Sequence, residues 1–457
     1  MLNIIILAAG KGSRMQSNIP KALHKLSGRY FIDYLIDSVR LLKPDQIFIV
    51  VGYKEEFVRT ILKNYDDVTF ISQKEQFGTG HAVMQVIPYL KQNNSENNKT
   101  LILYSDMPLI RDKTLKKLID STIDLTILTN RLDEPYGYGR IIRDNKNNIC
   151  KIVEHKDASE NELNIKEVNT GILSIKTSKL IKWLNLIKNY NVKKEYYLTD
   201  IIEIAFLDKA IINSLQPNFL WEALGVNSPN ELSFLERMWQ KYQADVLLKQ
   251  GVLISDPNRI DIRGKLYCEK DVFIDIGCIF IGNIQLSQGS YIGPYCIIED
   301  SIIGTNSKIY AYSYIEKSKI NANVQIGPFA HLRPNVILHE NVKIGNFVEI
   351  KNSIIGPNSK TNHLSYIGDT EIGENVNIGA GVITCNYDGF HKYKTIIGDN
   401  AFIGSDSQLI APVSIGKNAT IGAGSTIVQD APENQLTISR VSQKSIREWN
   451  RNKNNKK

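Results

Sequence analysis

Ile397, Ile403, Leu409, Ile415, Ile421 and Ile427 recur every six residues without a break, and Gly follows four of them, at Gly398, Gly404, Gly416 and Gly422. The same period runs through Ile274, Phe280, Leu286, Ile292 and Ile298, and again through Ile320, Ile326, Leu332, Leu338, Ile344 and Ile350. It slips by one residue in places, as between Ile298 and Ile303. A hexapeptide period is the signature of a parallel β-helix of triangular section. Each unit forms one flat edge with its aliphatic residue inward, and the next residue turns the corner. Gly is expected at that corner because it tolerates left-handed backbone angles. The period does not set the hand of the coil, although parallel crossovers in general are right-handed.

The first half follows a different rule. Ile4–Ala8, Gln46–Val51, Val68–Ser72, Leu101–Tyr104 and Leu125–Thr129 are short apolar or β-branched runs, separated by amphipathic stretches at Ile32–Leu42, Glu55–Leu62 and His81–Leu90. Alternation of this kind predicts βαβ units, a mostly parallel sheet and helices on both faces. Ligands then bind beyond the carboxyl ends of the strands, so the residues just after each run are the ones to watch. Between the halves, Ser228-Pro229-Asn230-Glu231 reads as a capping box, with Leu235, Trp239, Tyr242 and Val246 behind it at helical spacing and Gly251 as a stop. Such a helix is roughly 33 Å long, enough to hold two domains apart. The expected division is 1–229, a linker helix 230–250, and 251–457.

Charge and cysteine usage narrow the classes. The net charge is +7, part of it in a basic tail from Arg447 to Lys457 that reads as disordered. Elsewhere acids and bases are interspersed, which argues against a nucleic-acid surface. The five cysteines, Cys150, Cys268, Cys278, Cys296 and Cys385, contain no close pair of the zinc-binding kind. Buried reduced thiols are expected. The first apolar run is short and soon followed by Lys11, so it reads as a strand, and no run is long enough to span a membrane. A cytoplasmic protein is expected.

Leu7-Ala8-Ala9-Gly10-Lys11-Gly12-Ser13-Arg14 leaves the first strand into a Gly-rich loop that is neither a dinucleotide fingerprint nor a Walker A motif. Small residues admit a nucleotide to backbone N–H groups, and Arg14 and Lys21 bring cations toward a triphosphate. Gly78-Thr79-Gly80-His81 opens a helix. Tyr104-Ser105-Asp106 ends a buried run, so Asp106 emerges at the ligand edge, where a hard oxygen donor suits Mg²⁺ beside phosphates. A lone Asp there could equally be a helix cap.

In this order, with Gly137-Tyr138-Gly139-Arg140, Val153-Glu154-His155-Lys156, Asn169-Thr170-Gly171 and Gly225-Val226-Asn227, and joined to a hexapeptide β-helix, these segments resemble the bacterial bifunctional N-acetylglucosamine-1-phosphate uridylyltransferase/glucosamine-1-phosphate acetyltransferases over nearly the whole chain. The resemblance implies a Rossmann-like nucleotidyltransferase joined by a helix to a β-helix that coils to the left. It implies that Leu7, Ala8, Ala9, Gly10, Arg14, Lys21, Gln73, Gly78 and Thr79 hold UTP, with Tyr104 beside them. Gly139, Glu154 and Asn169 contact the N-acetylglucosamine part, and Asp106 and Asn227 bind Mg²⁺. The sugar phosphate, already an anion, attacks the α-phosphorus of UTP and expels pyrophosphate, so positioning and charge neutralisation are the catalytic devices. Ser105 departs from the family, which usually has Gly between Tyr and Asp.

The second reaction, acetylation of glucosamine-1-phosphate by acetyl-CoA, needs an acceptor for the amine proton, and neutral His serves. The chain has seven His. The resemblance singles out His363 as catalytic, Arg333 and Lys351 as the phosphate clamp, and Tyr366, Asn377, Asn386 and Tyr387 as further substrate contacts. Ala380, Ser405, Ala423 and Arg440 match acetyl-CoA positions. Asn386 and Tyr387 lie where the period stretches between Ile378 and Ile397, and such an irregularity often marks a functional loop. His331 stands where some relatives have Arg. A homotrimer with no nucleic-acid or membrane partner is implied, working in UDP-N-acetylglucosamine biosynthesis for cell-wall and lipopolysaccharide precursors. A nucleotidyltransferase for another nucleotide lacks the His363 and Asn386-Tyr387 constellation. A regulatory subunit would have lost Arg14, Lys21, Asp106 and Asn227.

Overall fold

The computed structural model describes residues 1–90, 97–121, 123–447 and 449. Of the basic tail, only Arg447 and Trp449 belong to these, and the rest lies outside the described residues. The chain forms two compact units, Met1–Trp239 and Gln240–Lys457.

In the first unit the strands lie in the order Ile212–Leu215, Leu125–Arg131, Glu167–Lys176, Lys99–Tyr104, Leu2–Leu7, Gln46–Val51 and Val68–Ser72. Neighbours pair in parallel except Glu167–Lys176, which runs antiparallel to both its partners. The hairpin of Arg140–Arg143 and Ile149–Val153 is attached to that strand. Alternation along the first strand sorts the core. Ile5 and Leu7 pack with Phe48, Val83 and Trp183 on one face, while Ile4 and Ile6 pack with Ile32, Leu35 and Leu115 on the other. The helix expected over His81–Leu90 is two, Thr79–Met84 and Ile87–Leu90. Pro88 has no N–H to continue the ladder.

The capping box is present. Ser228 N donates to Glu231 Oε2 at 2.9 Å and Glu231 N to Ser228 Oγ at 3.3 Å. The helix Pro229–Lys249 that follows is divided between the units. Glu236 accepts from Ser27 N at 2.7 Å, and Trp239 meets Tyr34 edge-on at 6.0 Å. Beyond them Gln240, buried, donates to Ile262 O and accepts from Ile262 N, and Ala244 and Leu247 enter the core of the second unit. Gly251 follows the helix with φ 92°, as a stop requires.

The second unit is a parallel β-helix. Every aliphatic residue in the periodic series lies in one continuous core, from Ile274 to Ile427. One face carries the register Ile292, Ile309, Ile326, Ile344, Thr361, Ile378, Ile403 and Ile421. The slip between Ile298 and Ile303 is a shortened edge, with both residues still buried.

The corners work differently from the expectation. Gly398, Gly404, Gly416 and Gly422 do not have positive φ. They are small because the next coil crosses them: a Cβ on Gly404 would lie 2.4 Å from Ala423 N, and one on Gly416 2.4 Å from Glu433 N. The left-handed residues form separate columns. One is Asn306, Asn323, Asn341, Asn358, Asn375, Asn400, Asn418 and Asn434, with φ between 55° and 61°. Asn enters this region at low cost. A second is Tyr295, Tyr312, Phe329, Phe347, Leu364, Gly381, Asp406 and Gly424. Here each aromatic residue costs about 1–2 kcal/mol of backbone strain. The rings stack at 5.3, 5.1 and 5.4 Å, Tyr295 on Tyr312, then Phe329, then Phe347. Each stacked pair contributes about 0.5–1.5 kcal/mol beyond burial, which offsets part of that strain.

Candidate active sites

In the first unit the parallel strands end together and deliver the expected residues to one edge. Leu7, Ala8 and Ala9 are buried, whereas Gly10 is exposed and a Cβ there would meet nothing within 4 Å. Arg14 Nη2 donates to Asn227 Oδ1 at 2.6 Å. Lys21 Nζ donates to the same oxygen at 2.7 Å and to Asp106 Oδ2 at 2.5 Å. The loop that carries Asn227 is tied back by Val226 N, which donates to Asp106 O at 2.8 Å. A carboxylate and an amide oxygen thus meet on one ammonium, so both are aimed at a common cation position. That donor set fits Mg²⁺, whose remaining ligands come from phosphates and water.

The segment at Gly78 is held from behind. Gln73 is buried, and its Nε2 donates to Gly78 O at 3.2 Å and lies 3.1 Å from His81 Nδ1. Gly78 has φ 104°, and a Cβ there would lie 2.6 Å from Tyr196 O. Thr79 Oγ1 accepts from Leu198 N at 3.0 Å, so this hydroxyl ties two loops together. Burial pushes the Tyr104 phenol well above its ordinary pKa, with Thr79 as its hydrogen-bond partner, and the ring presses on Gly171.

Nearby, Asn169 N donates to Gly139 O at 2.9 Å, and Asn169 Oδ1 accepts from Gly171 N at 2.9 Å. Thr199 Oγ1 donates to Glu154 Oε1 at 3.1 Å. Burial pushes the Glu154 carboxyl up. Asp200 is pushed up to about 6 by burial, then by Glu154, Glu203 and Asp157. Thr199 and Asp200 had no sequence signal beyond opening the helix Asp200–Leu207.

In the second unit the acetyltransferase candidates fall into two groups flanking the corner at Leu364. On one side Arg333 N donates to Ile350 O at 2.8 Å, next to Lys351, and the register sets Glu349 beside Tyr366. Arg333 Nη1 donates to Glu349 Oε1 at 3.1 Å. Asn386, buried, donates to Asp369 Oδ2. The stretched segment is a loop closed by a bridge between Tyr387 and Lys392, with Asp388 Oδ1 accepting from Phe390 N at 2.8 Å and His391 N at 2.6 Å. It sets Lys392 against Lys351, which lowers the Lys351 pKa. Burial and Arg333 lower it further, and Asp369 opposes them. Three cations crowd one place, an arrangement that a phosphate relieves. Lys392 was missed in the sequence because nothing distinguishes it from Lys394.

On the other side His363, Ala380, Ser405 and Ala423 form one column. Gly381 N donates to His363 O at 3.3 Å, Asp406 N to Ala380 O at 2.7 Å, and Gly424 N to Ser405 O at 2.8 Å. Arg440 Nη1 closes the column on Ala423 O at 2.6 Å. Asn377 stands apart from that column, in register with Lys360 and Phe402.

Residues 4–139 match the MobA-like NTP transferase domain, residues 394–429 the bacterial transferase hexapeptide (six repeats), and residues 314–400 the GMPPB C-terminal domain. Over 452 residues the chain is 49% identical to the bifunctional protein GlmU of Bordetella parapertussis, covering 99% of each. It is 50% identical to that of Ralstonia nicotianae, covering 98% of each. The chain belongs to the bifunctional GlmU family. A putative glucose-1-phosphate thymidylyltransferase from Bacillus anthracis, solved with sucrose, covers 52% of the chain and 95% of its own at 18% identity and a TM-score of 0.42, which adds nothing to the sequence matches.

As a GlmU-family member the chain is a bifunctional enzyme, a nucleotidyltransferase half followed by a hexapeptide transferase half, and left-handed coiling goes with that membership. Its two departures are absorbed locally. Ser105 is buried and its N–H donates to Leu7 O at 3.0 Å, continuing the strand pairing up to Asp106. His331 stacks on Tyr314 at 5.2 Å with its Nε2 3.6 Å from Glu316. All five cysteines are free thiols, three of them buried. Among the described residues no helix is long and apolar enough to cross a membrane.

Proposed function

We propose that the first unit transfers UMP from UTP to N-acetylglucosamine-1-phosphate, and that the second acetylates glucosamine-1-phosphate with acetyl-CoA to supply it. The observation that carries this reading is the coexistence, in one chain, of two unlike devices. Arg14, Lys21, Asp106 and Asn227 form a cation-and-oxygen cluster, and in the β-helix His363 heads a column of small residues on one side of a corner whose other side carries Arg333, Lys351 and Lys392.

In the first unit, backbone N–H groups of the Leu7–Gly10 loop receive the nucleotide, and Gln73, Gly78 and Thr79 shape the pocket for the base. Arg14 and Lys21 neutralise charge that moves onto the departing pyrophosphate. Asp106 and Asn227 would hold Mg²⁺, which supplies further charge neutralisation at the phosphates. Gly139, Glu154 and Asn169 orient the sugar. In the second unit, Arg333, Lys351 and Lys392 hold the sugar phosphate, with Tyr366, Asn386 and Tyr387 as further contacts, and Asn377, which stands apart from them in one chain, would join them from a neighbouring copy. His363 accepts the amine proton, and Ala380, Ser405, Ala423 and Arg440 line the path of acetyl-CoA.

The working assembly on this reading is a cytoplasmic homotrimer. Tyr295, Tyr312, Phe329 and Phe347 leave an apolar stripe half-exposed along one corner of the β-helix. A threefold ring buries the same edge in every copy.

The deciding experiment runs both assays on two variants. His363→Ala should lose about 10²–10⁴-fold in acetylation and keep uridylylation of supplied N-acetylglucosamine-1-phosphate. Asp106→Ala should give the reverse. Equal loss of both activities in either variant, with the assembly intact, would rule out two independent sites.

A further inference from the structure

His363 ends the strand Lys360–His363, and Asn346 ends the strand Lys343–Asn346 one coil earlier. The two are register partners, and Leu364 N donates to Asn346 O at 3.1 Å. Next to the pair the coils are pressed together, since a Cβ on Gly345 would lie 1.9 Å from Asn362 O. Across this tight contact the Asn346 Oδ1 lies 3.1 Å from His363 Nδ1. Among the described residues neither side chain makes another hydrogen bond, and no carboxylate pairs with the imidazole. Asn346 belongs to none of the groups of substrate contacts above.

We propose that Asn346 is a positioning residue that sets the tautomer of His363. A neutral imidazole has one N–H and one lone pair. An amide oxygen facing Nδ1 can only accept, so Nδ1 carries the hydrogen and Nε2 keeps the lone pair. Nε2 is then the atom that takes a proton. A carboxylate in place of the amide would impose the same tautomer. It would also favour the imidazolium before any amine arrived, and that form has no lone pair to offer. The neutral amide orients the ring without charging it.

The step balances within the reading of His363 given above, on which this inference rests. The neutral amine nitrogen of glucosamine-1-phosphate attacks the thioester carbonyl while Nε2 takes one of its hydrogens as a proton. The new C–N bond forms, the C–S bond breaks, and the CoA thiolate leaves. The imidazolium then returns its proton to that thiolate. In the other tautomer, with hydrogen on Nε2, the first proton has nowhere to go.

The test compares wild-type chain, Asn346→Leu and Asn346→Asp, each full length and uniformly ¹⁵N-labelled, with His363→Ala used to assign the His363 ring. Leu keeps the volume and removes the acceptor, whereas Asp keeps the acceptor. Ring ¹⁵N shifts should place the hydrogen of neutral His363 on Nδ1 in wild type and Asn346→Asp, and move it to Nε2 in Asn346→Leu. The acetylation kcat should fall roughly 10–100-fold in Asn346→Leu, the usual cost of removing a group that orients a catalytic His. KM values for both substrates and the uridylyl rate should hold. Asn346→Asp should be slow where its imidazole is charged and recover most of kcat as rising pH neutralises the ring. An Nε2–H tautomer in the wild type, an unchanged kcat in Asn346→Leu, or an Asn346→Asp whose neutral ring is as slow as that of Asn346→Leu would each overturn the proposal. If the wild type does not acetylate glucosamine-1-phosphate, the functional reading fails, while the ring shifts still decide what Asn346 does.

Discussion

Lys21 Nζ lies 2.5 Å from Asp106 Oδ2, so the ammonium occupies the side of the carboxylate that Mg²⁺ would reach on the proposed reading. It also holds Asn227 Oδ1 at 2.7 Å, the second oxygen of the proposed site. On that reading the phosphates of an arriving nucleotide would give Lys21 another partner. Lys21→Ala should therefore bind Mn²⁺, as a spectroscopic stand-in for Mg²⁺, several-fold more tightly without nucleotide, because a competing charge is gone. Its uridylyl rate should fall about 10²-fold, the usual loss for one charge-stabilising donor. Electron paramagnetic resonance titration and pyrophosphate release read the two effects, and unchanged Mn²⁺ affinity would disprove the competition.

Lys392 sits against Lys351, and their repulsion lowers the Lys351 pKa in the free protein. On the proposed reading a sugar phosphate would turn that repulsion into binding. Lys392→Ala should raise KM for glucosamine-1-phosphate about tenfold, equivalent to one charge-assisted hydrogen bond, with a smaller change in kcat. The Lys351 pKa should return toward its ordinary value, which ¹⁵N-edited titration of the lysine side chains would follow. An unaltered KM would remove Lys392 from the clamp.

Burial, then Glu154, push the Asp200 carboxyl up to about 6 in the folded chain, against 3.8 for the free side chain. The sign follows directly. The folded state binds the extra proton, so the stability tied to this group is complete below about pH 4 and is lost as pH rises through about 6. At pH 7.5 Asp200→Asn should be the more stable form, by about 1 kcal/mol once solvent screening of this half-exposed group is allowed for. By pH 4 the gain should vanish. Thermal unfolding at both pH values tests this, and a gain independent of pH would point to a cause other than ionisation.

Phe347 and Phe329 are half-exposed in the stacked column, at 56% and 47%. Phe347→Glu puts a charge into the stripe that trimer formation is proposed to bury. Light scattering should then report monomer in place of trimer, with acetylation lost and uridylylation kept. A trimer that persists would move the interface to another face.

Much of this is legible in the sequence. Gln46–Val51 and Val68–Ser72 are strands with the bounds read from the sequence, and every residue of the Ile397–Ile427 series is in the core. Local patterns succeed there because burial of one face or one column repeats at a fixed interval. The antiparallel strand Glu167–Lys176 was not legible, since strand direction depends on where the chain re-enters the sheet. The Gly404 corner was misread for a related reason. Its constraint is the Ala423 backbone one coil away, and a residue's own neighbours in sequence carry no trace of it.

The sequence by itself determined the two architectures, the capping box at Ser228 and the chemical types gathered at each strand end, because periodicity and turn chemistry are properties of adjacent residues. Only the tertiary structure decided that Lys21 joins Asp106 to Asn227, that Lys392 crowds Lys351, and that Asn346 faces His363. Those pairs are separated by between 17 and 206 positions in the chain. Coil stacking and sheet order bring them within hydrogen-bond reach, and a contact of that kind exists only once the backbone has been folded back on itself.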